Sequence, residues 1–233
     1  LRARKFAGTH VCWDAGTVTT RQAGLRERKK QATRKALREA ALRLALERGP
    51  DNVRVDDIAE AAGVSPRTYN NYFSSREEAI VAAVTAEREF RVAAAVADRA
   101  GTRLADDVVG AVVEQYTDSG EPGRDALLLI TTSPALRNVF LDAAAAIELP
   151  LTEAINGRLG ETDPYAARVL AASVAAAVHV ALDRWLQPAA ASLAAGGFVV
   201  PAGSLPDLLR AALAPLAPAF DAAEERARHD EHR

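Results

Sequence analysis

The sequence predicts an all-α protein: an N-terminal head of three helices that includes a helix-turn-helix, followed by a larger helical domain. Three observations carry this expectation. Apolar residues recur at helical spacing in one window after another. Alanine, the strongest helix former, fills long stretches of the chain. Glycine and proline fall between the periodic windows, as at Gly49–Pro50, Gly63 and Pro66, and Gly120–Gly123. At 233 residues the chain can bury a substantial core in one or two domains.

Residues 1–25 show no lasting periodicity and are interrupted by Gly8, Gly16 and Gly24, so a flexible basic arm is expected. Residues 26–48 form an amphipathic helix whose buried stripe is Ala36, Leu37, Ala40, Ala41, Leu44 and Ala45. Lys29, Lys30, Arg34, Lys35 and Arg38 crowd its first half. Cations there oppose the helix dipole, and a nearby phosphate backbone would offset that cost. Thr33 can offer its hydroxyl to the same backbone. The bland alternative for each of these side chains is a solvated basic face.

Residues 55–62, VDDIAEAA, read as a second helix with one apolar face, stopped by Gly63. Ser65 is a good N-cap and Pro66 suits the first helical position. The helix that follows carries Arg67, Thr68, Asn70, Asn71 and Tyr72, braced by Tyr69 and Phe73. Two helices joined through a glycine turn make a helix-turn-helix, and the second is of the kind that enters a DNA major groove. Charge supports this reading. Residues 1–76 hold 16 Lys or Arg against 8 Asp or Glu, a net of +8, whereas residues 77–233 hold 13 against 23, a net of −10. A basic front end suits double-stranded DNA, and the arm at 1–25 could follow the duplex or be an idle leader.

Ser74 or Ser75 caps the next helix, expected over about residues 76–99 through Ile80, Val81, Val84, Phe90 and Val96. Helices are then expected at 104–117, 124–133, 134–147 and 150–159, with Gly120, Pro122 and Gly123 as a loop. A long alanine-rich helix is expected over 164–187, nearly uncharged in its middle turns and therefore buried in a core or against a partner. A loop at 188–206, a kinked helix at 205–218 and a fraying charged tail complete the chain. The domain boundaries drawn from this are 1–25, 26–76 and 77–233. The late apolar helices can pair with their copies in a homodimer, which would present two recognition helices to a palindromic operator.

Aromatic residues make up 5% of the chain, so each one in the larger domain is a candidate pocket residue. Phe90, Phe140, Trp185 and His179 are the candidates, with Arg91 or Arg137 at the mouth to meet an anionic head group. Each has an equally ordinary role in a core or a dimer seam. An enzyme is not expected. His10, His179, His229 and His232 make no metal-ligating pair inside the fold, and no GxSxG, Walker or dinucleotide glycine motif occurs. Cys12 is the single cysteine, which excludes an internal disulfide and agrees with a cytoplasmic protein. No run of 18 uncharged apolar residues occurs, so no membrane partner is expected, and no cofactor or metal is implied.

Residues 30–80 resemble the DNA-binding head of the TetR family of bacterial transcriptional regulators, through TRKALREAALRLALERG at 33–49, VRVDDIAEAAGVS at 53–65 and PRTYNNYFSSREEAI at 66–80. The rest of the chain resembles the family only in plan, an all-helical ligand-binding and dimer-forming domain. Alanine and arginine usage is similar to that of actinobacterial members, including mycofactocin-associated regulators, some of which respond to acyl-coenzyme A. The resemblance implies phosphate contacts from Thr33, Arg54, Thr68, Tyr72 and Arg76, and groove contacts from Arg67, Asn70 and Asn71. Three positions depart from the family pattern. Arg54 replaces a capping Thr, Asn70 replaces an aromatic residue, and Arg76 replaces Lys. A repressor released by a small hydrophobic effector, such as a long-chain acyl-CoA, is the function the resemblance implies. Regulation without a small ligand, or activation, are its alternatives.

Overall fold

Helix α1 (Ala15–Arg48) is the longest element of the chain and carries the head. The computed structural model describes residues 15–86, 88–99, 103–117, 121–160, 163–195 and 204–231. α1 ends where Gly49 adopts a φ of 81°, a conformation that a side chain would strain. Leu37, Ala40, Ala41, Leu44 and Ala45 are buried, as their spacing predicts. They pack α1 against α2 (Val55–Ala61) and α4 (Arg76–Thr85), with α3 (Pro66–Tyr69) lying on α2. Gly63, at a φ of 69°, makes the turn between α2 and α3.

The larger part follows as α5 (Arg88–Asp98), α6 (Leu104–Thr117), α7 (Glu121–Thr132), α8 (Pro134–Asp142), α9 (Glu148–Arg158), α10 (Pro164–Ala195), α11 (Leu205–Leu213) and α12 (Ala217–Glu231). Tight 3-10 turns at Ala143–Ile147 and Ala214–Leu216 join α8 to α9 and α11 to α12. α10 is the central helix of this bundle and packs on α9 and α11, while α5 packs on α6 and α9. Ala167, Leu170, Ala171, Val174, Val178 and Leu182 of α10 are all buried. Its segment Pro164–Gln187 is long and apolar enough to cross a membrane by composition alone, yet its inward stripe is the bundle's core. The outward stripe, by contrast, leaves Tyr165, Val169 and Val180 at 79%, 49% and 62% exposure, and with exposed Ala176 these follow one another at intervals of four, seven and four residues, one or two helical turns.

Several expectations are corrected. The arm drawn at 1–25 is helical from Ala15 onward, because the glycines at 16 and 24 weaken a helix without stopping one that propagates from a strong segment. Its first fourteen residues lie outside the described ones. The helix expected over 76–99 is two helices, broken at Ala86, whose ψ of 128° is extended. Arginines from α5 satisfy the carbonyls the break exposes: Arg91 Nη1 donates to Ala86 O at 3.2 Å and Arg88 Nη2 to Val84 O at 3.5 Å. Pro122 and Gly123 lie in the first turn of α7, where proline's missing N–H costs nothing, while Gly120 lies outside the described residues. α10 continues past Gln187 to Ala195, since an alanine-rich run sustains the helix after Pro188; residues 196–203 of the expected loop lie outside the description. The tail is helical through Glu231. Phe220 and Ala223 bury α12 against the bundle, and Arg103 holds it through Asp221, with Nε to Oδ1 at 2.7 Å.

Candidate nucleic-acid interface and effector site

The helix-turn-helix is built from short, heavily bonded pieces. Ser65 Oγ accepts from Thr68 N at 3.1 Å, the N-cap its position predicts, and also meets Thr68 Oγ1 at 2.9 Å. α3 proper is a single turn. The chain then tightens, with Asn71 N–H bonding Thr68 O and Tyr72 N–H bonding Tyr69 O. Arg67 thus sits on the α-turn, while Asn70, Asn71 and Tyr72 occupy tighter turns that continue it. Tyr69 and Phe73 point inward and are buried, with ring centroids 5.8 Å apart. Tyr69 Oη donates to Ser75 O at 2.7 Å, tying α3 to the start of α4. Burial, reinforced by the Glu78 and Glu77 carboxylates, pushes this phenol's pKa up, in keeping with a donor that holds its proton. With those two rings inside, Arg67, Asn70 and Asn71 stand exposed.

The other expected DNA contacts divide into outward and engaged groups. Lys30 is exposed on α1, and Thr33 is half-buried with its hydroxyl bonded to Lys29 O at 3.0 Å. Arg54 is exposed at the N-cap of α2. Arginine has no acceptor to cap with, so the cap is one-sided: Arg54 N donates to Asp57 Oδ2 at 3.1 Å. Tyr72 packs half-buried against the core and Thr68 is half-buried beside Ser65. Arg76 is engaged inside the head. Its Nη1 donates to Asp51 O and Val53 O, each at 3.0 Å, and its Nε to Glu77 Oε1 at 2.7 Å. Burial alone would raise the pKa of Glu77, but the hydrogen bond and charge of Arg76, with the backbone and Ser75 hydrogen bonds, together outweigh it and hold the carboxyl below its ordinary range. Arg76 thus staples the α1–α2 link to α4, a role that its sequence position did not reveal.

The six expected pocket residues do not converge. Phe90 is 62% exposed, whereas Phe140 is buried. His179 Nδ1 lies 3.1 Å from Leu141 O, a satisfied core contact, and Trp185 packs half-buried on the core. Arg91 Nε bonds Gln115 Oε1 at 2.8 Å, and Arg137 Nη2 bonds Thr131 O at 2.9 Å at the end of α7. Two spaces lie near Phe90 and Phe140. A small, partly open cavity of about 10 Å³ is lined by Arg88, Thr85, Glu89, Tyr116, Phe140 and Ala143 among others. A groove of about 520 Å³ runs between α1, α4 and α8, walled by Arg34, Val81, Ala82, Phe90, Val139 and Ala146 among others. Arg88 and Tyr116 went unnoticed in the sequence because an arginine in a charged run and a tyrosine in an apolar one carry no distinguishing spacing. Among the described residues no three His, Cys, Asp or Glu side chains gather as a metal-binding group.

A glycine-turned helix pair exposing a polar face, set on a helical bundle, defines a helix-turn-helix DNA-binding regulator. Residues 37–84 match the family described as bacterial regulatory proteins, tetR family. The HTH-type transcriptional regulator TcmR of Streptomyces glaucescens is 31% identical over 173 residues, covering 70% of this chain and 76% of that one. A solved structure of a TetR-family transcriptional regulator from Rhodococcus sp. is similar at 22% identity and a TM-score of 0.45, covering 82% of this chain and 99% of its own. The chain belongs to the TetR family of bacterial regulators and is a DNA-binding transcriptional regulator.

Proposed function

We propose that the chain is a homodimeric repressor of a palindromic operator, released by a small hydrophobic effector. One observation carries the DNA half: Arg67, Asn70 and Asn71 are presented outward by the same turns that bury Tyr69 and Phe73. In this reading those three residues read base edges, with asparagine able to pair bidentately with adenine. Lys30, Thr33, Arg54, Thr68 and Tyr72 meet phosphates and set affinity and its salt dependence. The exposed apolar stripe of α10 supports the dimer, because such a stripe is costly in water and self-complementary about a two-fold axis. The effector must bind the arrangement that does not fit DNA better than the one that does. A fatty acyl-CoA is the first effector class to test.

Selection of bound duplexes from a random library tests the first half, followed by titration of the selected duplex with acyl-CoA thioesters and free fatty acids. A two-fold site released by one of these ligands is the expected result. A two-fold site that no lipid releases would favour the second reading, a regulator without a small effector, which the smallness of the cavity beside Phe140 supports. Enrichment of no site would overturn the repressor reading.

A further inference from the structure

Arg88 is a largely desolvated cation that pairs with no carboxylate among the described residues. It stands at the start of α5, with its guanidinium carbon 4.5 Å from the Tyr116 ring centroid and 5.8 Å from that of Phe140. Its Nη2 donates to Val84 O at 3.5 Å, the Tyr116 hydroxyl adds a favourable hydrogen bond and field, and its buried Nε has no hydrogen-bond partner among the described residues. Among the described residues no carboxylate forms an ion pair with it; Glu89 lines the same cavity and contributes only a favourable field. A charge taken out of water without a counter-charge is costly, and aromatic faces with a neutral hydroxyl and carbonyl replace only part of the lost hydration. Burial accordingly pulls its pKa down.

The space in front of Arg88 has room for about one oxygen-sized group. It shares the walls Thr85, Glu89 and Ala143 with the larger groove, whose volume lies in the range of small-molecule sites. Gln31, Arg34 and Arg38 of α1 close that groove on the side of the head. The break at Ala86 lies in its wall.

We propose that Arg88 is the anion-binding end of an effector site. A small molecule with one carboxylate, sulfonate or phenolate points one oxygen of that group at Arg88 and lays an apolar body in the groove between α1, α4 and α8. This deepens, and rests on, the effector-responsive reading above. The ligand body touches α1 itself and bridges the Ala86 break, so binding bears directly on the angle between head and bundle.

The test compares two fluorescent probes on the full chain, 8-anilinonaphthalene-1-sulfonate and its uncharged relative N-phenyl-1-naphthylamine. Wild type is expected to bind the sulfonate at one site per chain and more tightly than the neutral dye. Arg88→Gln should weaken the sulfonate about tenfold or more and the neutral dye little, as loss of a charge-assisted hydrogen bond requires. Thr85→Glu, which supplies Arg88 with an internal carboxylate, should abolish the preference for the sulfonate; it decides the matter should Arg88→Gln not fold. Ala146→Trp, at an exposed groove position, should weaken both dyes. The anion site is overturned by equal loss of both dyes in Arg88→Gln, by an unchanged preference in Thr85→Glu, or by no dye binding to wild type. Any of these leaves operator binding intact, whereas a protein that separates the dyes but enriches no duplex would overturn the repressor instead.

Discussion

Single side chains in the head divide into those that hold it together and those free to meet DNA. Ser65 belongs to the first group, and Ser65→Ala should cost about 1 kcal/mol in urea denaturation through loss of the α3 cap. Lys30 and Arg54 belong to the second. Their replacement by Ala should weaken DNA binding equally for all sequences and lower the salt slope by about one each, read from affinity against ionic strength. Asn70→Ala should instead lose discrimination at one base pair, by about 1–3 kcal/mol. Arg76→Ala should reduce the stability of the head and leave the salt slope unchanged, because its donors face Asp51, Val53 and Glu77. Acid should act at the same staple. Glu77 has a lowered pKa in the folded head, so its contribution to stability is present above the unfolded carboxylate value of about 4.3 and is lost as pH falls through the folded value. Glu77→Gln should therefore flatten the acid limb of a stability–pH profile below about pH 5.

Between elements, one polar tie is buried. Arg158 of α9 donates from Nη1 to Asp107 Oδ2 of α6 at 2.9 Å and to Val96 O of α5 at 3.1 Å. The two side chains are 15% and 5% exposed, so removing one leaves a charge desolvated. Asp107→Ala or Arg158→Ala should each destabilise the bundle by about 3–5 kcal/mol in chemical denaturation, and replacing both by apolar residues should recover most of the loss. The Arg103–Asp221 pair, which ties the residue before α6 to α12, is more exposed and correspondingly weaker. Neither pairing could be read from the sequence, since the partners lie 51 and 118 positions apart and share no periodic frame. Element boundaries were most legible where a local cap or breaker decides them, as at Gly49, Gly63, Ser65, Ser75 and the 104–117 helix.

For the whole molecule, the outward stripe of α10 governs assembly in the proposed dimer. Ala176→Asp and Val180→Asp place a charge on that exposed face without touching the core, so the fold should persist. Sedimentation should show a monomer, and binding to a two-fold duplex should fall to that of one half-site. The groove between head and bundle belongs to the same scale, since it exists only where α1, α4 and α8 meet.

Local chemistry in the chain determined the all-helical class, the glycine turn, the cap of α3 and the outward polar set at Arg67, Asn70 and Asn71. Each depends on neighbours within a few residues, through helical spacing, left-handed glycine or a hydroxyl cap. Tertiary structure alone decided the break at Ala86, the docking of α12, the internal use of Arg76 and the burial of Arg88 against Tyr116 and Phe140. These depend on which carbonyls, rings and carboxylates distant segments bring within a few ångströms, and no local pattern encodes that distance.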